Sequence, residues 1–469
     1  MVERKENPAT LEGGSTRKAE GSPDSANTNQ SDVFGDSSED GVNYQNMGWV
    51  GTTAMMLKSM LGLGILSIPS VFNSLGLVPG LICLWTIALV TTWSGSIVGR
   101  FKLNHPEVYS IDDAGKLMFG KPGRIIFGVA VVLYWMFLAG SGLITLTIGL
   151  NSLSLHGTCT AVFMVVAALA SFVVGSQQTL DRLTWLAWLG LAGVISSVIA
   201  LTISVSLADR PRSAPKTGPW HSDWKAVRHP DLEDGISSVA LLIFAYAGIP
   251  NFFSIISEMK QPEHYHRALI ISQSTITLLY TIIGSVVYVY CGSYVESPAI
   301  SSTSVTMARI CYGLALPGLL FTTVFMIHVA SKYVFIHVLK KTAARHIAAP
   351  TKIHWMTWLG STFSVTMIAY LIASGIPVFS GLTSLIGALF GTFMTFQAMG
   401  CMWLYDNFKL ERQRRNVWWR ATLALSVFVI VSGCFLTVAG TYGSVINVMA
   451  TYKPGGSEPW TCADNSGLT

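Results

Sequence analysis

Charge is scarce in this chain. Asp, Glu, Lys and Arg make up 12% of its 469 residues, against roughly 25% in soluble domains; hydrophobic residues are 51% and mean hydropathy is +0.50. A water-soluble globular domain is excluded, and an all-α polytopic membrane protein is expected. The short motifs of ATP-driven or hydrolytic chemistry are also missing: there is no P-loop, no HExxH and no GxSxG, so no catalytic residues are assigned and no enzyme is indicated. Seven cysteines are scattered with no CxxC pair, which removes the usual metal and redox spacings and leaves neither metal nor cofactor to assign. The net charge of +5 is carried by short basic runs between apolar stretches, a pattern that orients spans in a lipid bilayer rather than gripping nucleic acid.

What is present divides into three parts. Residues 1–45 are polar and nearly free of aromatics, and no apolar stretch follows the charged start, so they are expected to be a disordered cytosolic tail without a signal peptide. Residues 46–440 hold eleven apolar segments of about 20 residues each, enough to cross a bilayer: 49–75, 77–99, 125–150, 161–175, 186–207, 236–257, 269–291, 314–339, 355–376, 382–404 and 418–439. Residues 441–469 form a short tail. With the N-terminus inside, Lys and Arg gather in the inner connections (Arg100, Lys102, Lys116; Arg182; Lys260, Arg267; Lys340, Arg345; Lys409, Arg412), and the outer ones are almost free of them. The exception is the long loop 208–234, and long loops cross with less regard to charge. The C-terminal tail is then extracellular.

The first span reads MMLKSMLGLGILSIP over Met55 to Pro69. Two glycines, a proline and a lysine have no place in a helix that only faces lipid. Unpaired backbone groups at membrane depth are tolerated only where they line a cavity or are buried in protein. A helix ending near Leu61 exposes carbonyls to an ammonium or a cation, and one restarting near Gly64 and Ile65 presents N–H groups to a carboxylate. Together they suit a zwitterion. The alternative is that Gly62 and Gly64 only let neighbouring helices approach. A second interruption, IFAYAGIPNFFS over Ile243 to Ser254, falls in span six, the corresponding member of a second five-span half. Paired interruptions of this kind point to a midplane site between inverted repeats.

The stretch GLGILSIPSVFNSLGLVPG (Gly62 to Gly80), the Gly248-Ile249-Pro250 turn and SEMKQPEHYHRAL (Ser257 to Leu269) resemble the amino acid/auxin permease family, most closely fungal neutral amino acid permeases of the methyltryptophan-resistance type. The resemblance covers about Asn46 to Gly440. It implies the LeuT-like fold with a 5+5 inverted repeat and broken helices 1 and 6, and secondary transport of neutral amino acids, often driven by protons. It further implies that substrate meets Leu61, Gly62, Leu63, Gly64 and Ile65 of span one and Tyr246, Ala247, Gly248, Pro250 and Asn251 of span six. Phe244 and Tyr134, the latter on span three, are aromatic candidates for closing over it.

Lys58 lies about 6 Å down the first half-helix from Gly62, where sodium-coupled relatives in this fold hold a cation. Ile65 cannot ligate a metal. Proton symport with Lys58 in the cation's place is therefore expected, and Ser331 is a hydroxyl candidate beside it. The cation's place in those relatives lies against span eight. Glu258 at the inner end of span six and Lys332 in span eight are gating candidates, Glu258 as a partner for Lys58; the alternative for Glu258 is a carboxylate simply at the membrane interface, and for either lysine snorkelling. Cys159, Cys291, Cys311 and Cys462 fall on the oxidising side, where a disulfide can form among them in a pairing the sequence leaves open. The plasma membrane is expected, with a vacuolar exporter and an amino-acid-sensing receptor without flux as alternatives.

Overall fold

The computed structural model describes residues 47–177, 184–215, 217–342, 351–408, 416–452, 459–460 and 462–467. The expected N-terminal tail lies outside them, as do Arg182, Arg345, Lys409 and Arg412. Among the described residues every regular element is helical. Span one is α1 (Trp49–Met60) and α2 (Ile68–Leu75); then come α3 (Leu77–Asn104), α4 (Ile111–Ser154), α5 (Thr160–Gly175) and α6 (Thr184–Leu207). Span six is α7 (Leu232–Ala245) and α8 (Phe252–Ser257), followed by α9 (Tyr265–Cys291), α10 (Val305–Thr342) and α11 (Lys352–Gly375). Span ten runs from α12 (Phe379–Ile386) into α13 (Ala398–Asn407), and α14 (Val417–Thr451) is the last. Nine of these stretches are long and apolar enough to cross a membrane and the bent pair α1–α2 makes a tenth; α5, with 16 residues, is the short fourth span. The eleven expected segments appear in order.

Two boundaries move. Helix α14 continues to Thr451 rather than stopping near 440, because its apolar side chains persist past Gly440. Helix α4 begins at Ile111, well before the expected 125, and holds a break at Gly120 (φ +71°) just ahead of Pro122. Proline lacks the N–H to continue the ladder and glycine accepts the positive φ, so an inner-face helix precedes span three. Its buried Asp112 accepts from the Tyr333 hydroxyl of α10 at 3.3 Å and lies 3.6 Å from Arg124.

Both faces of the bundle are tied. At one end Met47 pairs with the chain after span six, its N–H donating to the Glu258 carbonyl (3.1 Å) and its carbonyl accepting from Lys260 (2.9 Å); the Arg267 guanidinium lies 4.4 Å over the Trp49 ring. At the other end Gly76, at φ +88°, sits where a Cβ would come within 2.6 Å of the Arg228 nitrogen, so the long loop 208–234 packs on the end of α2. A disulfide joins Cys159 to Cys462, selecting one pair among the four candidates, while Cys291 and Cys311 are buried and free. Spans four to eleven separate its two ends, an even number, so both lie on one face.

Candidate functional site

Both breaks form as the glycine and proline pattern predicts, but they differ in kind. In span one the backbone turns extended at Leu61 (φ −72°, ψ 101°), passes through Gly62 and Leu63, and resumes as a short 3-10 turn at Gly64–Leu66; the two halves meet at 48°. In span six the chain tightens to i−3 bonding at Tyr246, Ala247 and Asn251 through a 3-10 turn at Ile249–Asn251, with Pro250 withdrawing one donor. That span still reads as one crossing of 26 residues.

The breaks pack reciprocally. A Cβ on Gly64 would lie 2.6 Å from the Ala245 Cα, where α7 ends, and a Cβ on Gly248 would lie 3.0 Å from the Met60 Cγ, where α1 ends. Each break thus rests its glycine on the end of the other span's first half. Gly62 is different: only the Thr322 Cγ2 comes near, at 3.8 Å. Neither a positive φ nor a close neighbour requires glycine at that position.

The expected free carbonyls are not free. The Tyr280 hydroxyl, from α9, lies 2.9 Å from the Met60 carbonyl and 3.0 Å from that of Ala245, bridging the ends of both first half-helices. The Tyr134 hydroxyl donates to the Ala247 carbonyl, and Tyr246 donates to Thr277 at 3.0 Å with its ring 5.3 Å from that of Tyr280. Buried carbonyls need donors, and span seven supplies one. Among the described residues the N–H groups of Gly62 and Leu63 find no backbone acceptor. The site therefore offers free donors to a carboxylate, and offers an ammonium the lone pairs of tyrosine oxygens that are themselves donating.

Tyr280 was not among the expected site residues. Gln273, Thr277 and Tyr280 lie at i, i+4 and i+7 on one face of α9, but Ser272, Ser274, Thr275 and Thr281 interleave with them, so no polar stripe singles Tyr280 out. Tyr280 has one proton for two carbonyls. Tyr280→Phe leaves both without a donor, at a cost of about 1–3 kcal/mol, and is expected to lower uptake efficiency roughly tenfold. Thr277→Val, which removes only the partner of Tyr246, should have the smaller effect. Equal effects in an uptake assay normalised to membrane protein would contradict the bridging role.

Of the charged candidates, Lys58 faces span eight, where the cation's place was expected. The Lys58 ammonium lies 3.8 Å from the centroid of the Phe321 ring on α10, directed at span eight rather than at Glu258. Among the described residues no ion pair within 4.0 Å joins Glu258 to Lys58 or to Lys332. Lys332 itself is exposed, as a snorkelling lysine would be. Ser331 is buried and its hydroxyl has no partner among the described residues, but it lies about 15 Å along α10 from Phe321 at 1.5 Å per residue. The hydroxyl residue at the level of the first break is Thr322, whose Oγ1 donates to the Gly318 carbonyl at 2.9 Å.

A bundle of membrane-length helices with two facing half-helix breaks has the broken-helix architecture of the LeuT-like fold. Residues 45–446 match the family described as transmembrane amino acid transporter protein, and the chain belongs to that family. It is 32% identical over 432 residues to a transmembrane transporter of Gibberella moniliformis, covering 92% of this chain and 90% of that one. It is 30% identical over 430 residues to the N amino acid transport system protein of Neurospora crassa, covering 90% and 89% respectively. Among solved structures, the inward-facing conformation of Mhp1 aligns with a TM-score of 0.52 at 14% identity over 87% of this chain and 91% of that one; that likeness is one of fold.

Proposed function

We propose that this amino acid transporter imports neutral amino acids, aliphatic or aromatic, with protons, across the plasma membrane of a fungal cell. The observation that carries the reading is the pair of breaks. Unpaired N–H groups at Gly62 and Leu63 receive the carboxylate, and tyrosine oxygens beside the Ala245 and Ala247 carbonyls receive the ammonium. Leu61, Leu63, Ile65 and Phe244, all buried beside the breaks, favour an apolar side chain. A charged side chain there would lose its hydration without gaining a partner. Lys58, a fixed cation site on span one that faces span eight, supports proton rather than sodium coupling. The Cys159–Cys462 disulfide supports an outer, oxidising location for the C-terminal tail.

The test is uptake of labelled alanine, leucine, phenylalanine, lysine and glutamate into proteoliposomes under an inward proton gradient, an inward sodium gradient, or neither. Proton-stimulated uptake of the first three only is expected. Sodium dependence overturns the coupling, and binding with no flux under any gradient makes the protein a receptor. A fluorescent fusion at the vacuole instead of the cell surface overturns the location.

A further inference from the structure

Span ten departs furthest from regular helix. Two consecutive π-helical segments, Gly387–Gly391 and Phe393–Gln397, interrupt it, and such wide turns are rare and concentrate at functional sites. They lie directly on span six. Gly387 has no room for a Cβ against the Ala240 carbonyl, and a Cβ on Gly391 would lie 3.2 Å from the Ile243 Cγ2 and 3.8 Å from the Ala247 Cβ.

Between these two glycines stands Phe390. Its ring centroid is 5.2 Å from that of Phe137 and 6.4 Å from that of Tyr134, and Tyr134 reaches the Ala247 carbonyl in the second break. The breaks are not fully sealed: Leu61 keeps 7% exposure, Leu63 5%, Ala247 5% and Phe390 6%, while Tyr246, Ile249 and Phe252 beside them have 0%. Phe390 therefore stands beside the second break, next to the tyrosine that reaches the Ala247 carbonyl and to the glycine that packs on Ala247 itself.

We propose that Phe390 is a specificity-determining residue, the wall against which the side chain of a bound amino acid rests and which limits that side chain's size. The proposal builds on the transporter reading above and assigns a role to a position in span ten that lies outside both broken helices. The π-helical turns and the flanking glycines hold the ring where the tenth span would otherwise present its backbone. Phe137 and Tyr134 brace it from behind, so the ring cannot simply fold back to admit a larger substrate. Truncating it opens volume on the side-chain end of the site and leaves the backbone donors of the first break untouched.

The experiment uses the full chain in proteoliposomes and compares initial uptake of labelled tryptophan and alanine for wild type, Phe390→Ala, Phe390→Leu and Phe390→Tyr. Phe390→Ala is expected to raise the tryptophan-to-alanine ratio about tenfold, Phe390→Leu by less, and Phe390→Tyr to leave it within about twofold of wild type. A merely structural phenylalanine would lower uptake of both substrates by a common factor, and an unchanged ratio in the two truncations overturns the proposal. If Phe390→Ala fails to reach the membrane, Phe390→Leu decides. If wild type binds without carrying, the transport reading falls, and the same ratio read from binding competition still decides the role of Phe390.

Discussion

Gly64→Ala is expected to reduce uptake by about tenfold to a hundredfold, whereas Gly62→Ala, two residues away in the same break, should stay within about twofold of wild type. The difference is one of room. A methyl group on Gly64 meets the Ala245 Cα at 2.6 Å and its Cβ at 3.0 Å, both on the rigid end of α7, but one on Gly62 meets only a methyl of Thr322 at 3.8 Å. Relief at Gly64 requires span one to move off span six, and that separates the Met60 and Ala245 carbonyls that Tyr280 holds together. Overpacking of this kind costs about 1–3 kcal/mol. The cost falls on the site rather than on the whole bundle, so Gly64→Ala should still reach the membrane. Initial rates normalised to reconstituted protein check it, with thermal stability in detergent as the companion measurement. Equal tolerance at the two glycines would mean that the breaks do not pack as described.

The spans were legible because hydropathy reports burial in lipid directly, and the first break was legible because glycine and proline carry backbone consequences of their own. Less was readable where a residue's role depends on what faces it across the bundle. Tyr280 and Phe390 look like any aromatic in an apolar span, and only the packing shows that one meets two carbonyls and the other stands between glycines on a π-helical turn. The pairing of Cys159 with Cys462 closes a separation of 303 residues, which spacing cannot forecast. Lys58 was found from its depth in span one and its place against span eight, but the Phe321 ring that its ammonium lies on is an environment with no distinctive sequence mark.

That environment shapes the expected result for Lys58. Lys58→Met should abolish accumulation driven by a proton gradient, while Lys332→Ala, removing an exposed charge, should leave most of it. Methionine keeps the length and apolar body of lysine, so a large loss cannot be put down to an empty space. A second substitution separates charge from titration. Lys58→Arg keeps a permanent cation able to lie on the Phe321 ring, an interaction of about 0.5–2 kcal/mol, but arginine is effectively never deprotonated in proteins. If Lys58 binds and releases a proton in each cycle, Lys58→Arg should exchange labelled for unlabelled substrate across the membrane at near the wild-type rate and fail to concentrate it under a proton gradient. If the lysine only supplies positive charge beside span eight, Lys58→Arg should accumulate substrate as wild type does and Lys58→Met should lose exchange as well. Both assays use the same proteoliposomes, with the gradient imposed or collapsed, and Phe321→Leu serves as the control for the loss of the aromatic face alone.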